Sequence, residues 1–409
     1  SSSSFTLGPI ARASIRDIEN RCRHPLADLL VEQCQRRVHR MNSQRIVFLV
    51  PDLNNPNYKG GIQVFNTYVY RALRDIGHDV TIIAVNDRPE DAAPNVIPCN
   101  RGPRARKVLG AVNLAKQVLL HRPDVVLCGH LNFAPLCRRI CGVRGVPFIT
   151  ITHGIELWDA DPKKIQAAAA SHRILAVSRY TKSLNIELLP KYNAEHIIVF
   201  SNTFDEQRFR PQPVPEDFWG RVGLLPNDRF VLTVGRLATT ERLKGYDEAI
   251  QAMAVVRQSI PDAKYVLAGR GNDMDRLRSV ADACGLGEGL VLPGFIAEDD
   301  IVPLFNACEL FVLPSRKEGF GIVFLEAMGC GKPVIGGNRD GSMDPLCDGS
   351  LGTAIDPEDV DALQTAIVEH LQGRAPASRS DSTHLRSEAI ARFGFDAFRD
   401  RVRGVLGTL

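Results

Sequence analysis

The chain has 409 residues, 44% hydrophobic and 24% charged, with a formal net charge of +3. That length suits two or three domains with buried cores, and the composition is ordinary for a soluble globular protein. The charge is too small to mark a nucleic-acid binder, and no run of 18 apolar residues offers a membrane span.

The first 40 residues are rich in Ser and Arg. They also contain Asp17, Glu19, Asp28 and Glu32, which argue against a transit peptide. Leu26, Leu29, Leu30, Cys34 and Val38 recur at helical spacing. Residues 1–40 therefore read as an extension with some helix, outside a catalytic core that begins near Met41. The ten cysteines are scattered, with no Cys-x-x-Cys, and Cys137 and Cys141 form the closest pair. This usage predicts buried free thiols in a reducing compartment, hence the cytoplasm.

From residue 45 the pattern is strand, loop, helix, repeated. RIVFLV (45–50) is a short, β-branched apolar run of the kind buried in parallel sheets. Ile62, Phe65, Val69 and Leu73 give a helical stripe closed by Gly77, and DVTIIAV, DVVLC, PFITIT, RILAV and HIIVF continue the alternation to residue 200. A proline-rich stretch, PQPVPEDFWGRVGLLPND, interrupts it. The rhythm then restarts with RFVLTVG, AKYVLAG, LVLPG, ELFVLP and KPVIGG. The fold class is α/β, with two doubly wound Rossmann-like domains facing a cleft. The boundaries are 41–205 for the N-terminal domain, 206–385 for the C-terminal domain, and 386–409 for a final helical segment packing back on the N-terminal domain. Ligands sit beyond the carboxyl ends of strands in such sheets, so two facing domains point to an enzymatic cleft.

Three loops of the second domain carry chemistry. In VGRLATTERLKGYDEAI, Arg236 and Lys244 follow one strand end. Either they are a solvated basic loop, or they grip a diphosphate, the guanidinium by its fork and the ammonium as a point charge. In SRKEGFGIVFLEAMG, Gly319-Phe320-Gly321 opens a helix whose N–H groups can approach an anion. Glu318 lies just before that turn and Glu326 inside the helix. One reading makes Glu318 a partner of the helix dipole and Glu326 a surface acid. The other makes the two acids readers of sugar and ribose hydroxyls in a nucleotide sugar. In LAGRGND a third strand runs into a glycine turn, weak alone but placed where a base could lie. Asp273-Met274-Asp275 is read as helix capping rather than as a metal site.

Taken together, VGRL…KG, LAGRG and EGFGxxxxEAMGxGKPVI resemble the retaining GT-B glycosyltransferases, family 4 in particular, across residues 45–405. The resemblance implies that Arg236 and Lys244 bind the donor diphosphate and stabilise it as it leaves. Glu318 would contact the donor sugar, and Gly319, Phe320 and Gly321 would supply backbone amides. Glu326 would hold the ribose, and Gly269 and the segment around Phe295 would border the base. It also implies a phosphate-facing turn at Gly60 and Gly61 and an active-site histidine at His153. His130, at another strand end, is the weaker candidate, for acceptor contact. The 236–244 loop is longer than in many relatives, which puts a phosphate role for Arg242 in doubt.

The expected reaction moves a hexose from a nucleoside-diphosphate sugar to a hydroxyl acceptor, sugar or lipid-linked, with retention and with no metal or further cofactor. Front-side attack fits better than a covalent intermediate, since no dedicated nucleophile stands out. A rival reading is a silent nucleotide-sugar-binding scaffold, which would be expected to lack Arg236, Lys244 or Glu318; an epimerase or phosphorylase on the same fold is a third. Residues 97–147 hold nine Lys or Arg against one acid, Asp124. That stretch is either a solvated face or a contact for an anionic membrane surface or a phosphate-bearing acceptor.

Overall fold

The structure, a computed structural model, describes residues 43–53, 60–91 and 93–407. The expectations for residues 1–40 fall outside these residues.

The first sheet has seven strands: β1 (Arg45–Val50), β2 (Asp79–Ala84), β3 (Val96–Pro98), β4 (Val125–Cys128), β5 (Phe148–Thr152), β6 (Arg173–Ala176) and β7 (Ile197–Val199). Their spatial order is β3-β2-β1-β4-β5-β6-β7, and every pairing is parallel. The second has β8 (Arg229–Val234), β9 (Ala263–Ala268), β10 (Leu290–Val291), β11 (Leu310–Leu313), β12 (Val334–Gly337) and β13 (Thr353–Ile355). Its order is β10-β9-β8-β11-β12-β13, again all parallel. Both faces of each sheet are covered. Along β1, Ile46, Phe48 and Val50 enter one core while Val47 and Leu49 enter another on the opposite face. This explains why the strand reads as an unbroken apolar run rather than an alternation. β3 and β13 escaped the sequence reading because each is a three-residue edge strand without a long apolar run.

The strand orders place the site. In the first sheet the order reverses between β1 and β4, and in the second between β8 and β11. Loops leaving such neighbouring strands diverge and open a crevice. The loops at these two reversals contain the Gly60 turn, His130, the Arg236–Lys244 segment and the Glu318–Gly321 turn.

The final helix, Phe395–Leu406, packs on the first-domain helix Gly61–Ile76. Phe398 fills that contact with its ring centroid 5.9 Å from Phe65 and 5.2 Å from Phe200. Among the described residues all eight cysteines are free, and six of them are buried.

Candidate functional site

Lys244 and Glu318 meet beyond the strand ends of the second sheet: the ammonium donates to the Glu318 carboxylate, and both side chains are largely buried. They lie 74 positions apart in sequence and arrive from the loops after β8 and β11. Burial pulls the lysine down, but the charge and hydrogen bond of Glu318, with Glu241 and Asp340 beyond, carry its pKa above the ordinary value. Lys244 is therefore a fixed cation.

The turn after Glu318 is shaped by close contacts. Gly321 adopts φ +89°, a conformation open to glycine, and leads directly into the helix Ile322–Gly329. A Cβ on Gly319 would sit 1.9 Å from the His153 carbonyl oxygen, and one on Gly154 would sit 2.9 Å from the Gly319 Cα. The two domains thus touch backbone to backbone here. Thr181 adds a hydrogen bond to the Gly319 carbonyl at 3.3 Å. Beside this contact, Arg179 of the first domain bonds Asp344 at 2.7 Å and Asp348 at 2.7 Å in the second.

Across the cleft, Gly60 precedes and Gly61 begins the first-domain helix, and the Cβ position of Gly61 lies 4.0 Å from the Ile322 side chain. Two helix starts from different domains therefore face the same space, and a helix N-terminus is a favourable place for an anion. His153 is buried beside them. Its Nε2 lies 3.0 Å from the Gly129 carbonyl, so that nitrogen donates, and in the neutral imidazole Nδ1 is the acceptor. Phe65 packs edge-on at 5.3 Å, and His130 lies at 6.1 Å. The Nδ1 of His130 accepts the Asn132 N–H at 3.1 Å, and burial chiefly lowers its pKa.

Glu326 occupies the fifth position of its helix, partly accessible, with no described hydrogen-bond partner on its carboxylate. Burial pushes it up to about 7, against the pull of Arg208 and with a small push from Glu298. An ionised acid in this environment gains from hydroxyl donors, which a ribose has. Phe295 is 66% exposed, and the Arg270 guanidinium lies 4.8 Å from its ring centroid. Gly269 donates to the Gly294 carbonyl at 2.9 Å, which sets this aromatic edge beside the LAGRG turn.

Other residues lie apart from the centre. Arg236 is paired with Glu241 and over half exposed. Arg242 is drawn to Asp273 at 3.7 Å, away from Lys244. The Phe320 side chain is buried against Phe393 at 5.8 Å, so only its backbone can serve a ligand. The capping expectation for Asp273 is corrected. It occupies the position before the helix Met274–Ala283, but its carboxylate binds Arg276 at 2.7 Å rather than a helix N–H, because the guanidinium offers the stronger partner.

Two residues were missed. Asp340, buried, accepts the Glu318 N–H at 2.7 Å and the Ser315 hydroxyl at 2.7 Å on one oxygen, and the Ser342 N–H at 2.9 Å on the other. Its Asp-Gly-Ser context after a strand end signals a turn, but nothing local links it to Glu318. Tyr246 donates to the Arg236 carbonyl at 3.1 Å and occupies the space a Gly235 Cβ would need.

The Glycosyltransferase Family 4 family matches residues 59–208, and the family Glycosyl transferases group 1 matches residues 217–385. A GDP-mannose-dependent alpha-(1-6)-phosphatidylinositol monomannoside mannosyltransferase of Mycolicibacterium smegmatis is 33% identical over 251 residues, 57% of this chain and 62% of its own length. The protein of that name from Mycobacterium tuberculosis is 27% identical over 358 residues, 81% of this chain and 90% of the relative. The crystal structure of HepE from Anabaena in complex with UDP superposes with a TM-score of 0.74 at 20% identity, over 89% of this chain and all of that one. Sucrose-phosphate synthase from Thermosynechococcus elongatus gives 0.71 at 19%, over 89% of this chain and 98% of that one. These superpositions establish a GT-B arrangement of the two domains.

Proposed function

We propose that the chain is a group 1 glycosyltransferase, as the matches over residues 59–208 and 217–385 support, and that it transfers a hexose from a nucleoside-diphosphate sugar to a hydroxyl acceptor with retention of configuration. The observation that carries this reading is the buried Lys244–Glu318 pair beside a glycine-shaped helix start, with the Gly61 helix start facing it.

The diphosphate lies between the two helix starts, and its charge as it leaves is met by Lys244 and, across the loop, Arg236. Glu318 accepts hydrogen bonds from the donor sugar while Lys244 turns to the phosphate. Glu326 holds the ribose, and the base lies along the Gly269 turn towards Phe295 and Arg270. His153, with Nδ1 as acceptor, contacts a sugar hydroxyl. The acceptor hydroxyl attacks from the face the diphosphate leaves, and the departing phosphate oxygen takes its proton. Fixed cations and helix N–H groups supply the charge stabilisation, so no metal or further cofactor is assigned. GDP-mannose is the first donor to try, and an inositol-lipid mannoside the first acceptor, because the relatives named above carry both.

The test is incubation with labelled GDP-mannose and UDP-glucose, with the product anomer read by NMR. A glycoside of the donor's own anomeric configuration is expected. Tight nucleotide binding without turnover on any acceptor would instead favour the silent scaffold, and an inverted product would remove retention.

A further inference from the structure

The outer surface of the first domain carries a feature that sugar transfer does not use. The helix Ala105–Lys116 continues through the turn Gln117–His121, and its inner residues Leu114 and Val118 are fully buried on the sheet. On its outer side Arg104, Val108, Val112, Lys116 and Leu120 follow one another at four-residue steps, and all five are exposed. Val108 is 62%, Val112 56% and Leu120 70% exposed. The neighbouring helix Ala134–Arg144 repeats the pattern with Arg139 and Val143, the valine 71% exposed. Arg144 bonds the Leu119 carbonyl at 3.4 Å and ties the two helices together.

Single exposed apolar residues need no explanation, but a row of them flanked by cations does. Four of the five most exposed large hydrophobics of the described chain that lie outside Phe295 and Leu225 fall within these two helices and their connecting turn. The segment 97–147 holds nine Lys or Arg against Asp124 alone, although the whole chain nets only +3. Among the described residues none of the nine forms an ion pair. A soluble polyanion would engage the cations and leave the valines and Leu120 in water. A protein partner of ordinary composition would not need so one-sided a charge. An anionic bilayer satisfies both, with headgroups at the cations and the acyl boundary under the aliphatic side chains.

We propose that the outer face formed by these two helices docks on an anionic lipid bilayer, with Val108, Val112, Leu120 and Val143 entering the headgroup boundary between Lys and Arg side chains. The helix Ala134–Arg144 begins one short turn after His130, so the docked face ends beside the acceptor side of the cleft. The docking does not depend on the donor chemistry.

The experiment is sedimentation of the full chain with vesicles of phosphatidylcholine alone or mixed with phosphatidylserine, at low and at physiological salt. Binding to the mixed vesicles only is expected. Arg138→Glu with Arg139→Glu should lower partitioning by more than tenfold, at roughly fivefold per unit of charge. Val108→Ser, Val112→Ser and Leu120→Ser together should keep the low-salt binding and lose what survives at physiological salt. Unchanged melting temperature and nucleotide binding confirm that the variants are folded. No binding to mixed vesicles at low salt, or undiminished binding of the charge-reversed variant, overturns the proposal. Salt resistance unchanged in the serine variant overturns it too, because the face would then recognise any polyanion.

Discussion

The Asp340 carboxylate accepts the backbone N–H of Glu318 at 2.7 Å, so the acid facing Lys244 is held in place by a second, buried acid. Ser315 and Ser342 donate to the same carboxylate. Burial pushes Asp340 up to about 6, the hydrogen bonds from Ser315 and Ser342 pull it down, and the charge of Glu318 pushes it up again. Each carboxylate oxygen accepts a backbone N–H, from Glu318 or Ser342, so a proton on either would set an O–H against a group that can only donate. We expect kcat to fall as pH drops through about 6, with free diphosphate binding little changed. Asp340→Asn, which places an amide N–H₂ among the same donors, should lower kcat about tenfold, matching about 1–3 kcal/mol for one unsatisfied buried group, and should lose that acid limb. Steady-state rates across pH decide it. An identical limb in the variant would separate Asp340 from the reaction.

Lys244→Ala should cut kcat by about 10²–10³, the order associated with losing one preorganised group at a developing charge. Acceptor KM should change little, since the ammonium pairs with Glu318 and is assigned to the donor diphosphate. Equal kcat/KM for variant and parent would take Lys244 out of the site.

Glu318 and Glu326 are assigned to different halves of one donor, so their losses should differ in kind. Glu326→Ala should weaken binding of the free nucleoside diphosphate, because ribose contacts persist from ground state to transition state. Glu318→Ala should lower kcat and leave that affinity nearly intact. Calorimetry with the diphosphate, beside turnover, tests the division. Equal loss of diphosphate affinity in both variants would refute it.

Glu326 also predicts a stability profile. Its folded pKa is raised to about 7, chiefly by burial, so folding favours the protonated form. That contribution is complete below the unfolded value of about 4.3 and is lost as pH rises through about 7. Glu326→Gln should therefore match the parent near pH 4 and exceed it at pH 8 by about 3 kcal/mol. Urea unfolding at the two pH values reads the difference, and a variant that is less stable at pH 8 would contradict the sign.

Gly319→Ala places a Cβ 1.9 Å from the His153 carbonyl oxygen. Backbone on both sides must move, at about 1–3 kcal/mol. A lower melting temperature and at least tenfold lower kcat are expected, since the same contact joins the domains next to Glu318, the acid assigned to the donor sugar. Unchanged kcat would show that the domain contact is not needed for turnover.

The sequence by itself determined the two α/β sheets, because a buried parallel strand is a short β-branched run and its amphipathic helix follows within the same local stretch. RIVFLV and RFVLTV became β1 and β8 within a residue of expectation. It also pointed to the loops at the strand reversals, because glycines and charges beyond strand ends are local signals. Only the tertiary structure decided the partnerships. Asp340 reaches Glu318 across 22 positions, Lys244 reaches Glu318 across 74, and Arg179 reaches Asp344 across 165. It also turned the Phe320 side chain into the core and gave Asp273 to Arg276. Propensity and periodicity act over a few residues along the chain, whereas hydrogen bonds and ion pairs act over a few ångströms in space. The two coincide within a strand or a helix and part company at the cleft, where loops from opposite ends of the chain meet.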